Sequence, residues 1–582
     1  MRLQCVGLRG SVYDLALVYV KTTTRRTKDG TAVRYLHLAH NEWDAAAGVS
    51  RTRILFSFGR EDQLDRGAVE RLIGALSRLL DPAGAAVAAG GTDLEVVGSR
   101  PVGGTHLLDG LWCKLGIDAV MKSLLAGRKL DARTERVLFA LVANRALAAS
   151  SKLAAADWIG ADAHIDGLDE IGEQSCYRAM DWLLAVEPRL AEQVYFQVTD
   201  LLNLEVDLLF FDTTNTYFEL DEADEPVGRD KDGKVATDPD EAIEQRGFRS
   251  YGKSKQGRDD LPQVVVGMAV TRDGIPVRVW SWPGGTADSK LIRQVKDDMR
   301  AWSLSRIVWV ADRGFSSADN RRELMRGAGG YIIGEKLRSG SAEVKAALAR
   351  PGRYRVIRDN LQVKEVSIGT ADRFVLCYNP EQAERDAAVR ARLVGQLQEA
   401  IAETDKLGKT DRARLEGVLS TKPGLKRFLR VTPGGLLRID KKKIDTEANL
   451  DGKYLLRSSD PHLSSEDIAL GYKQLLEVER GWRDMKQVLD LRPIYHRRED
   501  RIRAHVLLCW LALLLMRVAE NGTGQTWNRI RAEVQRVHAV TFTGPAGQFR
   551  KTTQLSKTQR DLFAALGIDP PKTILDATLT TH

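Results

Sequence analysis

The sequence predicts an α/β fold in which a mixed sheet is flanked by helices, and three observations carry that expectation. Between residues 204 and 335, β-type runs and helical patterns follow in the order strand, strand, strand, helix, strand, helix, strand. The apolar run RIVWVAD comes after a helical stretch from about Asp288 to Trp302, the crossover that a fourth strand parallel to the first requires. Upstream, from His106 to Asn203, stretches such as ERVLFALVANRALAASSKLAAADWI repeat apolar residues at three- and four-residue spacing and predict helices.

Residues 1–65 read as a small sheet: VYDLALVYVK, a turn at Lys28-Asp29-Gly30, AVRYLHLAH and TRILFSFG, before a helix that starts near Gly67. Residues 66–203 are expected to form a helical domain for DNA-end binding or dimerisation. The first part of the core, 204–335, opens with VDLLFFDTTNTYFEL, and a charged, Gly-bearing stretch at 221–262 reads as an exposed loop. QVVVGMAV, the turn Arg272-Asp273-Gly274 and IPVRVWSW then make a hairpin. The helix at 288–302, the strand RIVWVAD, a helix near 318–327 and the strand GYIIGEK complete this part.

Residues 336–463 break the rhythm, mixing YRVIR, RFVLCY, GLLRID and KYLLR with a charged helical stretch at 381–420, and predict an inserted, β-rich domain. A long helix at 464–490 and a buried helix at 502–519 finish the core over 464–520. A basic region, 521–582, closes the chain.

A length of 582 residues excludes a single small binding module. The net charge of +8 is modest, but its distribution is not: Arg480 to Arg560 holds 16 basic and 6 acidic residues, an excess of ten. An anionic partner is expected there. Five scattered cysteines with no Cys-x-x-Cys pair argue against a disulfide scaffold or a cysteine zinc site. The start, MRLQCVGLRG, lacks the apolar segment of a secretion signal. The longest apolar run, Val506 to Met516, has 11 residues against about 18 for a span. The expected setting is cytoplasmic and nucleoid-associated, with no membrane partner.

Phosphoryl transfer on nucleic acid by divalent metals needs carboxylates that converge from separate elements, because each ion takes several oxygen ligands. Asp212 lies within the first strand, Asp312 ends the fourth at VADRGF, and Glu479 lies on the late helix in GYKQLLEVERGWRDMK. An Asp after a strand ordinarily opens a turn and a helical Glu is ordinarily solvated, so their joint placement carries the inference. Tyr472, Glu479 and Lys486 are seven residues apart, and since a heptad drifts by only about 20° on an ideal helix they are expected to share one face. Glu477 is about 200° around from Glu479 and does not substitute for it. Arg497 and Arg498, with Arg501 and Arg503, flank the buried helix as a basic track for DNA.

At these residues the sequence resembles the DDE transposases of bacterial insertion sequences, specifically the group with a Tyr-x2-Arg-x3-Glu-x6-Lys signature. Asp212 in FFDTT, Asp312 in ADRGF and Glu479 match the catalytic acids, with Tyr472 and Lys486 at the signature spacing. The Arg position is Leu475, which leaves Arg480 or Arg483 to reach DNA from nearby. The resemblance spans about residues 200 to 520. It implies a ribonuclease H-like catalytic core with a β-rich insertion between the second Asp and the Glu. It further implies Mg²⁺, with Mn²⁺ as a substitute, held by Asp212, Asp312 and Glu479 to activate water for strand cleavage and then the 3′-OH for joining. Tyr472 and Lys486 would hold backbone phosphates. The implied partners are double-stranded DNA, as terminal inverted repeats and target, and a second copy of the chain in a synaptic homodimer. Two other readings share the core: a structure-specific DNA nuclease without strand transfer, and a degenerate relative that only binds DNA.

Overall fold

The computed structural model describes residues 18–44, 48–80, 94–127, 133–202, 207–220, 222–230, 235–236, 244–245, 247–302, 307–338, 340–492, 494–544 and 547–579. The chain divides into two compact units.

One unit combines residues 1–98 with 540–551 and 574–582. Among its described residues, Tyr19–Arg26, Ala32–Asp44 and Val49–Arg60 form an antiparallel three-stranded sheet. The Lys28-Asp29-Gly30 turn lies where the sequence places it: Thr27 N–H donates to the Thr31 carbonyl, and Gly30 adopts φ +84°, which a side chain would resist. The expected strand start at 12–17 lies outside the described residues. The helix Arg66–Leu80 belongs to this unit, so the expected helical domain 66–203 is divided at residue 98.

The other unit, 99–539 with 552–573, holds among its described residues a nine-stranded sheet. Its strands are β1 (Leu208–Tyr217), β2 (Gln263–Val270), β3 (Pro276–Pro283), β4 (Val308–Ala311), β5 (Gly330–Gly334), β6 (Arg355–Arg358), β7 (Leu361–Val366), β8 (Arg373–Tyr378) and β9 (Lys453–Ser458). Their order is β6-β7-β8-β9-β5-β4-β1-β2-β3. β1, β4 and β5 are mutually parallel, whereas β2 pairs antiparallel with β1 and β3 pairs antiparallel with β2 at the sheet edge. The helix Leu291–Asp298 supplies the crossover into β4.

The segment 336–463 does not form the separate β-rich domain expected of it. β9 pairs with β5, and β8, β7 and β6 follow in antiparallel register, so its strands lengthen the central sheet. The physical reason is the open edge of β5, whose unpaired backbone groups β9 satisfies. Only 380–448 stands apart from the sheet. There Leu429–Val431 and Leu437–Ile439 form a ribbon, and helices Pro380–Ile401 and Lys409–Ser420 enclose a small core of Leu397, Leu419, Phe428 and Leu437.

Helices Gly103–Lys114, Ile117–Leu125, Thr134–Ala148, Lys152–Ala161 and Glu173–Leu201 share one continuous hydrophobic core with the sheet. The link is the helix Glu499–Thr523, which packs on Thr134–Ala148, on Glu173–Leu201 and on β3. By length and composition this helix could cross a membrane, yet 94% of its most apolar window is buried by protein. Its apolar face is spent on the core.

The expected continuous helix 464–490 is instead two helices, Ser465–Lys473 and Leu476–Gln487. Between them the backbone tightens to i→i−3 bonds, with Leu475 N–H on the Tyr472 carbonyl and Glu477 N–H on that of Gln474. No Gly or Pro marks the break.

Candidate active site

Strand register sets the site. β4 lies parallel beside β1 with Ala311 opposite Phe211, so Asp312, the next residue, emerges beside Asp212. β5 lies on the other side of β4 with Ile333 opposite Ala311, which puts Gly334 next to Asp312. Parallel strands end their pairing at a common level, and side chains there converge on one crevice. Helix Leu476–Gln487 packs on β1 and β2 and carries Glu479 toward the same level.

The electrostatics report that convergence. Burial pushes the Asp212 carboxyl pKa up, and the Asp312 charge adds to the shift, while Lys255 and the Thr213 backbone N–H oppose it. Glu479 is likewise raised, first by burial and then by the charges of Asp212 and Asp312, with Arg483 opposing. The three acids therefore act on one another. Among the described residues, however, no three His, Cys, Asp or Glu side chains close on a common point as tightly as a bound metal requires. The donor set is all carboxylate oxygen, which suits a hard divalent cation.

Two lysines converge on the strand that carries Asp212. Lys255 Nζ lies 3.4 Å from Asp212 Oδ1 and 3.5 Å from Asp288 Oδ2, and it donates to the Thr213 carbonyl at 2.7 Å. Lys486 Nζ donates to Thr214 Oγ1. Burial, then the neighbouring Arg492 charge, lowers the Lys486 pKa to about 8.

Tyr472 comes to the site from the preceding helix, half-buried on the wall of a cleft. The hydroxyl donates to Asp312 Oδ1 at 3.2 Å, so this side chain orients a carboxylate. Gly334 makes this approach possible, because a Cβ there would collide with the Tyr472 hydroxyl. Gly334→Ala is therefore expected to move the tyrosine off Asp312 and slow DNA cleavage by roughly 10- to 100-fold. Cleavage rate and melting temperature measured together check this, and an unchanged rate would make the Tyr472–Asp312 contact dispensable.

The remaining basic candidates separate. Arg483 is exposed on the face of Glu479 and acts on its charge. Arg480 pairs with Glu520 at 2.8 Å and with Glu477 at 3.8 Å. Arg497 and Arg498 are exposed, Arg498 in a pair with Asp500. Arg503 is half-buried against Glu499 and the Ser281 carbonyl, and Arg501 stacks 4.0 Å above the Tyr177 ring. The continuous basic track is thus reduced to its first two members.

Beside Asp312 and Glu479 opens a cleft of about 920 Å³ whose wall includes Arg313, Lys336, Arg338, Lys453 and Lys473. The wall also holds the acids Glu335 and Asp386, so five cations stand against four carboxylates, and Arg338 is paired with Glu447 at 2.8 Å. Arg313 and the three lysines are the groups that offer charge to an anionic backbone. Sequence reasoning missed these cations along with Lys255 and Asp288. Lys255 lies in YGKSKQG, a loop without periodicity, where only the lysines between two glycines could have signalled a role.

Residues 20–86 match the N-terminal domain of the IS1634 family transposases, and residues 243–515 match the transposase DDE domain. Asp312 and Glu479 fall within the second match, and Asp212 lies ahead of it. No curated protein matches the chain. Among solved structures, the cryo-EM structure of the piggyBac transposase synaptic complex with hairpin DNA aligns over 74% of this chain and 76% of that one. The alignment has 11% identity and a TM-score of 0.33.

Proposed function

This chain belongs to the DDE transposases of insertion sequences, enzymes of DNA transposition that cleave and join DNA, and on that premise we propose that Asp212, Asp312 and Glu479 are its catalytic, metal-binding acids. The observation that carries the assignment is the pairing of β1 with β4, which brings Asp212 and Asp312 side by side where β4 ends, with Glu479 close enough to feel both. The strand sequence β3-β2-β1-β4-β5, with β2 antiparallel and β4 and β5 parallel to β1, supports a ribonuclease H-like core. Mg²⁺, or Mn²⁺ in its place, would lower the pKa of the attacking water or 3′-OH and stabilise the leaving oxygen.

The chain's own residues supply position and field. Tyr472 holds the Asp312 carboxylate in one orientation through its hydroxyl. Arg483 and Lys486 offer cations next to the acids, and Arg313, Lys336, Lys453 and Lys473 on the cleft wall receive the phosphate backbone. Arg497 and Arg498 extend that surface. The substrate is double-stranded DNA, as terminal inverted repeats and target. Two ends must be cut in concert, so the acting species is a homodimer, working in the cytoplasm on nucleoid DNA.

Incubating the protein with DNA bearing both element ends and Mg²⁺ tests the proposal. New 3′ ends at the outer boundaries together with joined products are expected. Cutting without joining would instead favour a structure-specific nuclease.

Lys486 adds a pH signature. A lysine whose pKa is lowered to about 8 keeps its charge below that pH and loses it above. DNA-end affinity is expected to fall by about fivefold between pH 7 and pH 9, the scale of one partly screened charge contact. Fluorescence anisotropy without metal reads it. In Lys486→Met the same curve should be flatter, and parallel curves would remove Lys486 from the DNA surface.

A further inference from the structure

We propose that Lys255 is a resident cation of the carboxylate site, one that a divalent metal ion must displace, and that Asp288 is the carboxylate that receives it. The inference rests on the assignment of Asp212 to metal binding.

Lys255 sits where a cation at Asp212 would sit. Its ammonium is 3.4 Å from Asp212 Oδ1, and that carboxylate is both largely buried and next to the Asp312 charge. Without a cation, burying Asp212 beside a like charge is costly, and Lys255 offsets that cost. An ammonium and a metal ion cannot occupy the same face of Asp212 together.

The geometry also supplies a place for the lysine to go. Its firm contacts are to Thr213, at 2.7 Å to the carbonyl and 2.6 Å to Oγ1, while the two carboxylates are contacted more loosely at 3.4 and 3.5 Å. Asp288 is held facing this point, since Thr213 Oγ1 donates to its Oδ1 at 2.9 Å. Its Oδ2 faces the turn just after Asp312, 3.6 Å from where a Cβ on Gly314 would stand. The loop that carries the lysine is pinned to the strand as well: Lys255 N–H donates to Asn215 Oδ1 at 3.3 Å, and Gln256 Nε2 to the Asn215 carbonyl at 2.8 Å. A small rotation of the side chain tip about Thr213 therefore moves the charge from Asp212 to Asp288 without moving the loop.

The test is Mn²⁺ binding to the full-length, DNA-free protein, read from the loss of the free-ion electron paramagnetic resonance signal. Lys255→Met should bind Mn²⁺ about fivefold more tightly, and Asp288→Asn should bind it several-fold more weakly because the lysine then stays on Asp212. In the double variant the Asp288 substitution should have no further effect, because Asp288 acts only through Lys255. Lys253→Met, which removes an exposed cation two residues away, is the control for a general field effect. Equal tightening in Lys253→Met, no tightening in Lys255→Met, or weakening by Asp288→Asn in the Lys255→Met background would each overturn the proposal, the last by making Asp288 a ligand. Asp212→Asn separates the two levels. If it binds Mn²⁺ like the parent, the assignment of Asp212 falls and this inference with it. If it loses binding while Lys255→Met is unchanged, only this inference falls.

Discussion

Glu479→Gln is expected to abolish cleavage and joining together, lowering both by at least about 10³-fold, while leaving the protein no less stable than the parent. The two halves have one cause. Glutamine keeps the size of the side chain and removes the charge that sits beside Asp212 and Asp312. That charge is unfavourable in the folded chain, since burial and the two neighbouring carboxylates raise the Glu479 pKa. A carboxyl whose folded pKa lies above its unfolded value destabilises the fold at pH values above both, so removing it at neutral pH relieves repulsion. The melting temperature should therefore hold or rise as activity disappears, the pattern of a site that trades stability for function. Product mapping with element-end DNA, beside a melting curve, reads both effects. Cleavage that survives in Glu479→Gln would remove this residue from the metal site.

How much of this was legible beforehand depended on which physical signal each residue carries. Asp312 could be found because an apolar strand stops at an acid, and Asp212 because an acid interrupts a β-type run. Both signals are local, and both places in the fold follow from strand pairing. Spacing points to Tyr472, but its bond to Asp312 has no signal in the sequence, because the tightened turn at Leu475 and the absent side chain of Gly334 turn its hydroxyl onto that carboxylate. The ion pairs of Arg480 and Arg503 are hidden for a related reason: a guanidinium in sequence looks the same whether it meets DNA or a carboxylate such as Glu520 or Glu499. The insertion strands looked like a separate domain because their partner, the open edge of β5, lies far away in sequence. Lys255 left almost no trace, since a loop residue's contacts are set by the fold and not by periodicity.

The other large effect is expected at Arg517, which never meets the substrate. It is fully buried in helix Glu499–Thr523, and its guanidinium bonds Glu520 on its own helix and Asp484 on the helix of Glu479. Glu520 is further held by Arg480 at 2.8 Å and by the Trp527 N–H at 2.8 Å. Arg517 is the partner of Asp484 among the described side chains of this cluster, so the arginine ties the helix of Glu479 to the core. Arg517→Met fills similar volume and leaves Asp484 with a partly buried, uncompensated charge. The expected loss is about 3–5 kcal/mol, the scale for removing one partner of a buried ion pair. Denaturant midpoints measure it. Pairing the substitution with Asp484→Asn should restore part of the loss, because the stranded charge goes with the arginine that matched it. Activity should recover less than stability, since neutral side chains remove the charge without replacing the tie that holds Glu479 in register with Asp212 and Asp312. If Arg517→Met instead melts like the parent, Glu520 and Arg480 suffice to hold the helix, and the position of Glu479 depends on apolar packing of Val478, Trp482 and Met485 alone.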